Sequence, residues 1–221
     1  MTTKIAQDQV HNLKSRPLAE VIADTKLSLG DEVTISDRGN GVFVVVLSST
    51  VTENTFNIIQ CVGVPTLSLV LRVASNTLNI KQIGALGDGV TDDKLAVQAA
   101  VDLAIANGYI IYAPEGVYIL DVSNQTTNVA ASVTIDFTAD GQSFILIGDG
   151  KSKTVFKDAD GCVDRSVAGI QKFIKTWQID TPVDIAIDNI IVRGVTMDKN
   201  GDSNATPATP FALEQCHVFD W

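Results

Sequence analysis

The sequence predicts a mostly β protein. A small N-terminal mixed β module, residues 1–79, precedes a stacked β solenoid over residues 80–221 that opens on a capping helix. Three observations carry this reading. Short apolar segments separated by Gly, Asp and Asn recur through the second part of the chain, and short strands with turn residues between them mark a solenoid. One segment near residues 94–107 has helical length and apolar surface, and no helical pattern follows it, which argues against alternating βαβ units. The composition, 45% hydrophobic and 19% charged over 221 residues, is the reverse of what disorder requires.

In the first region Pro17 suits a first helical turn, where its missing N–H costs nothing. Leu18, Val21 and Ile22 then repeat at helical spacing, which predicts a short amphipathic helix ending near Lys26. Strands are predicted over 32–36, 42–47, 55–62 and 67–73. The run 42–47 is almost wholly apolar and β-branched, so it reads as a strand buried on both faces. The connection Asp37-Arg38-Gly39-Asn40-Gly41 is rich in residues that accept positive φ. Ser75-Asn76-Thr77 reads as a hinge.

In the second region strands are predicted over 109–112, 117–122, 133–137, 144–147, 154–156, 173–179 and 190–192, spaced by about 20–25 residues on a solenoid repeat. Gly148 and Gly194 end two similar apolar runs, 46 positions apart (194 − 148), which predicts two coils of about 23 residues between them.

The segment before the first of these strands is the most informative. Ile83-Gly84-Ala85-Leu86-Gly87-Asp88-Gly89-Val90-Thr91-Asp92-Asp93 leads into a helix with Ala96, Gln98, Ala99, Ala100, Asp102 and Ala104. Pro114-Glu115-Gly116-Val117-Tyr118 follows. The glycines permit sharp turns, Thr91 or Asp92 suits a helix N-cap, and Asp92 and Asp93 complement the positive end of the helix dipole. Asp88, Asp92 and Asp93 could be taken for a Ca²⁺ or catalytic cluster. An EF-hand loop needs acids or amides at alternate positions and a late Glu, a pattern these residues lack, and turn and cap chemistry accounts for all three.

This box, helix and turn resemble the opening of pectate-lyase-like β-helices over about 40 residues. The resemblance implies a right-handed parallel β-helix of the pectin lyase fold, with the helix capping its open end. Leu18-Ala19-Glu20-Val21, Leu29-Gly30-Asp31-Glu32-Val33 and Val42-Phe43-Val44-Val45 resemble, in addition, the small domain that precedes the β-helix in bacteriophage tailspikes and tail fibres. That family usually has more glycines there, and an aromatic before the strand. The tailspike resemblance implies a homotrimeric receptor-binding subunit. Its residues 1–79 would attach to phage tail, baseplate or adaptor proteins, and its β-helix would bind, and as a depolymerase cleave, bacterial surface polysaccharide in host adhesion. It also implies residence in the virion tail after synthesis in the host cytoplasm. Two alternatives stay open: a free polysaccharide lyase or glycoside hydrolase, and a non-catalytic structural tail adaptor if the chain ends at Trp221.

Charge and special residues narrow the classes further. A net charge of −10 opposes nucleic acid binding, which needs a basic surface. The first residues lack an apolar signal-peptide core, and no apolar run is long enough to span a bilayer. Cys61, Cys162 and Cys216 read as buried thiols, and with His11 and His217 they form no metal-ligand spacing; no metal or cofactor is expected.

Catalytic residues stay unassigned. Glycoside cleavage needs two carboxyl groups at a set separation. The acids available after the cap are Asp136, Asp140, Asp149, Asp158, Asp160, Asp164, Asp180, Asp184, Asp188, Asp198 and Asp202, and turn or solvent-face roles are the expectation for each. Asp184 and Asp188, four apart on a strand, would lie roughly 13 Å apart. Tyr109, Tyr112, Tyr118 and Trp177 could stack on sugars, yet aromatic residues in strands are more often core or interface. The run 211–221 has no polar cap, so the chain is expected to continue past Trp221. Most of the polysaccharide groove is expected in later coils.

Overall fold

The computed structural model describes residues 15–121, 131–159, 175–180, 185–198 and 212–213. Contacts divide the chain into two units: Met1–Ser75 with Lys81–Gly84, and Asn76–Ile80 with Ala85–Trp221.

The first unit holds one antiparallel sheet in the order β1-β2-β4-β3. Its strands are β1 (Glu32–Ile35), β2 (Gly41–Leu47), β3 (Ile58–Gln60) and β4 (Leu67–Leu71). The helix α1 (Leu18–Ile22) is shorter than predicted. Pro17 takes the N-cap position and the Leu18 N–H donates to Asp37. Asp24 then turns the chain away by accepting from the Lys26 N–H and from the Arg16 guanidinium.

Burial along β2 alternates, with Val45 and Phe43 buried and Val42, Val44 and Val46 half-exposed. The two-sided burial expected for this strand is therefore corrected. An antiparallel sheet buries one face, and the alternation was hidden because both faces carry apolar residues. Arg38 reaches across the unit, donating to the carbonyls of Ile83 (2.6 Å), Phe56 and Thr55. Its burial lowers the guanidinium pKa.

The second unit is a parallel β-helix. Strands β5 (Thr77–Asn79) and β6 (Asp88–Asp92) start two of its sheets, and the short helix α2 (Ile80–Ile83) lies between them in sequence. After α3 (Lys94–Asn107) come β7 (Ile110–Ala113), β8 (Gly116–Leu120) and β9 (Ala131–Asp136). The next coil holds β10 (Gln142–Gly148), β11 (Thr154–Asp158) and β12 (Lys175–Asp180), and the last described one β13 (Ile187–Arg193), β14 (Thr196–Asp198) and β15 (Ala212–Leu213). The strands stack as three parallel sheets, β5-β7-β10-β13, β6-β8-β11-β14 and β9-β12-β15. Ser75 and Asn76, both at positive φ, lead into β5, so Thr77 is a strand residue and not part of a hinge.

Register corrects the expected coil length. Leu146 pairs with Val192 on the adjacent strand, so 46 residues (192 − 146) make one coil and not two. From β7 onward each described coil has three strands, and successive apolar segments are therefore parts of one turn. Gly148 and Gly194 are direct neighbours at the same corner: the Gly150 N–H donates to the Gly194 carbonyl, and a Cβ on Gly194 would come within 2.3 Å of the Gly148 oxygen.

Inward residues stack from coil to coil. Leu78, Ile111 and Leu146 form one buried row, and Tyr118 stacks on Phe156 with ring centroids 5.2 Å apart. The helix α3 buries Val97, Ala100, Val101, Ala104 and Ile105 and packs on β7, β8, β9 and β10. It thus covers strand edges that would otherwise template pairing with other chains.

Candidate functional site

The box that carries the family resemblance builds its loop from its own acids. Asp88 accepts from the N–H groups of Val90 and Thr91 and from the Thr91 hydroxyl, and these bonds lower its pKa. The Asp92 Oδ1 accepts from Lys94 at the start of α3 and from Asp121.

Asp93, rather than Thr91 or Asp92, is the N-cap residue of α3, but its side chain does not cap the helix. It turns back, 1% exposed, to accept the N–H groups of Leu86 at 2.6 Å and Gly87 at 2.9 Å. Burial raises its pKa, against the lowering effect of those two bonds. All three acids are engaged in shaping the turn, and among the described residues no group of three or more His, Cys, Asp or Glu side chains could hold a metal ion.

The acids beyond the cap separate by role. Asp140 accepts from the Ala186 N–H, joining two coils. Asp149 accepts from the Tyr112 hydroxyl at 2.7 Å and from the Glu115 N–H at 2.9 Å. Asp158 is fully buried and accepts from Ser132 at 2.9 Å. Asp188 is exposed and Asp198 half-exposed. Asp160, Asp164, Asp184 and Asp202 lie outside the described residues, so the expected Asp184–Asp188 spacing does too.

Register brings one pair of these acids together. Asp136, exposed at the end of β9, is the strand partner of Asp180 at the end of β12. Adjacent strands lie ~4.8 Å apart. Register alone relates the two, since the Asp180 side chain, like that of Trp177, lies outside the description. The pairing has a signal in the sequence: the two strands end in Thr134-Ile135-Asp136 and Gln178-Ile179-Asp180. Without the coil length nothing aligns them.

The tyrosines divide as well. Tyr118 is a core residue, fully buried, with its hydroxyl donating to the Pro114 carbonyl. Tyr112 stands half-exposed on the outer side of the first solenoid sheet, opposite the inward Ile111, and Tyr109 is half-exposed just after α3. The side chain of Trp177 lies outside the description, as do Cys162 and Cys216. Cys61 is a buried thiol pushed up to about 11, by burial first and by Glu53 second.

Residues 77–216 match the family model described as "Rhamnogalacturonase A/epimerase, pectate lyase-like". Among curated relatives, the chain is 32% identical over 123 residues to mannuronan C5-epimerase AlgE6 of Azotobacter vinelandii, covering 55% of this chain and 12% of the epimerase. It is 37% identical over 128 residues to mannuronan C5-epimerase AlgE5 of the same organism, covering 58% of this chain and 11% of that protein. The chain thus spans about a tenth of the length of these relatives. Among solved structures, the tailspike gp49 of Acinetobacter baumannii bacteriophage Fri1, titled a capsular polysaccharide depolymerase, aligns with a TM-score of 0.42 and 14% identity, covering 91% of this chain and 42% of that one. By the match over 77–216, which takes in the box, the capping helix and the stacked strands, the chain belongs to the pectate lyase-like rhamnogalacturonase A/epimerase family.

Proposed function

We propose that this chain is the head of a polysaccharide-recognising β-helix that acts on an acidic bacterial surface glycan as part of a phage tailspike. The observation that carries the reading is the family match over 77–216, together with two relatives at 32% and 37% identity that are named for action on mannuronan, a uronic acid polymer. The antiparallel unit formed by residues before the β-helix supports the tailspike part. It takes the role of tail attachment expected for residues 1–79, except that β5 (Thr77–Asn79) belongs to the capped start of the β-helix. The subunit is a homotrimer in this reading.

Three product assays on capsular or exopolysaccharide separate the chemistries. New reducing ends mark a hydrolase, unsaturated ends a lyase, and changed uronate stereochemistry without chain shortening an epimerase. Sedimentation of the full-length protein tests the trimer, and co-purification with tail proteins tests attachment. A stable monomer with no affinity for tail proteins would overturn the tailspike part. Absence of all three products and of glycan binding would overturn the whole reading.

A further inference from the structure

On the outer side of the first solenoid sheet, register aligns Asn79, Tyr112, Ile147 and Arg193 in one row across four coils. Their inward neighbours Leu78, Ile111 and Leu146 are buried, which fixes the outward direction of the row, since successive strand residues alternate faces. Tyr112 is held in place: its hydroxyl donates to Asp149, whose other oxygen accepts from the Glu115 N–H. The Glu115 carboxylate is itself paired with Lys153 at 3.8 Å. Arg193, two strands from Tyr112 and so roughly 10 Å away, is exposed and makes no ion pair or hydrogen bond among the described residues. In a chain of net charge −10, this row sets a guanidinium with no partner among the described residues in line with an anchored aromatic ring.

We propose that this row is a docking site for an anionic polysaccharide that lies along the β-helix axis, apart from the acid pair on the third sheet. One sugar ring packs on Tyr112 and Ile147, and the carboxylate of a nearby uronate pairs with Arg193. The chemistry fits each position. An aromatic face with an apolar neighbour receives the C–H face of a pyranose, and a guanidinium receives a carboxylate through two parallel hydrogen bonds. One strand spacing per coil, ~4.8 Å, is comparable to the advance of one sugar unit, so the row can meet consecutive units. A second contact of this kind raises the effective concentration of the polymer at any other site on the same helix.

The inference rests on the polysaccharide reading above, and the test keeps the two apart. Calorimetric titration of the 221-residue chain would compare an oligomannuronate with a neutral mannan oligosaccharide of equal length. The expected result is binding of the oligomannuronate only, weakened by added salt, about tenfold weaker in Arg193→Gln, and weakened again in Tyr112→Ala. Unchanged affinity in both variants would overturn this site while leaving the polysaccharide reading intact. Equal binding of the neutral oligosaccharide would overturn the anionic commitment. Binding of neither oligosaccharide would overturn the site and count against the reading beneath it. Both substitutions are on the outer face, and matching thermal midpoints confirm that the variants are folded.

Discussion

The Gln98 carboxamide of α3 makes both main-chain hydrogen bonds of Thr134: its oxygen accepts the Thr134 N–H at 2.8 Å and its nitrogen donates to the Thr134 carbonyl at 2.7 Å. Thr134 sits in β9, the first strand of the third solenoid sheet, whose only strand neighbour among the described residues is β12. One side chain thus does for β9 what a strand of a preceding coil would do. The same nitrogen bonds Asp102 one helical turn on, which fixes the rotamer.

Replacing Gln98 by Ala leaves a part-buried donor and acceptor on Thr134 without partners. The expected cost is about 2 kcal/mol, read as a lower urea midpoint, with faster amide exchange at Thr134. Gln98→Glu keeps the acceptor but sets a carboxylate against the Thr134 carbonyl and Asp102, so at neutral pH it should be no more stable than the Ala variant and should recover as pH falls.

Gly87 and Gly108 both have positive φ, +65° and +71°, but differ in surroundings. A Cβ on Gly108 meets nothing within 4 Å, so Gly108→Ala should cost only the backbone strain of about 1–2 kcal/mol. A Cβ on Gly87 would lie 2.7 Å from the ring of Tyr118, which is fully buried against Phe156. Gly87→Ala should be clearly the more damaging of the two in thermal unfolding.

The Tyr118–Phe156 stack lies between β8 and β11, register partners on adjacent coils. Phe156→Ala is expected to lose about 3–5 kcal/mol. Tyr118→Phe keeps the stack and removes only the bond to the Pro114 carbonyl, a loss of about 1 kcal/mol. Similar losses in denaturant titrations of the two variants would contradict this assignment.

Two of the three box acids, Asp88 and Asp93, predict opposite pH dependences. The pKa of Asp88 is lowered by its hydrogen bonds in the folded chain, so its stabilisation is present above about pH 3.8 and lost as pH falls through the folded value. The pKa of Asp93 is raised by burial, so its contribution is fullest below about pH 3.8 and declines as pH rises through the folded value. The stability deficit of Asp88→Asn should therefore grow from acid to neutral pH, and that of Asp93→Asn should shrink. Parallel slopes in the two series would show that one assignment is wrong.

Residue type and local spacing determined much of this protein by themselves. The positions needing positive φ at Gly84, Gly87 and Gly89, the apolar surface of α3 and most strand positions are local properties, legible wherever a backbone angle or an alternation dictates the residue. Tertiary structure decided what depends on register. The 46-residue coil, the approach of Gly148 to Gly194, the pairing of Asp136 with Asp180 and the row from Asn79 to Arg193 all join residues far apart in sequence. Loops of unequal length separate the strands, so no fixed period in the sequence aligns them. The direction of the Asp93 carboxylate, into the loop and away from the helix it precedes, was likewise settled by packing: burial beneath that turn made the Leu86 and Gly87 N–H groups its partners.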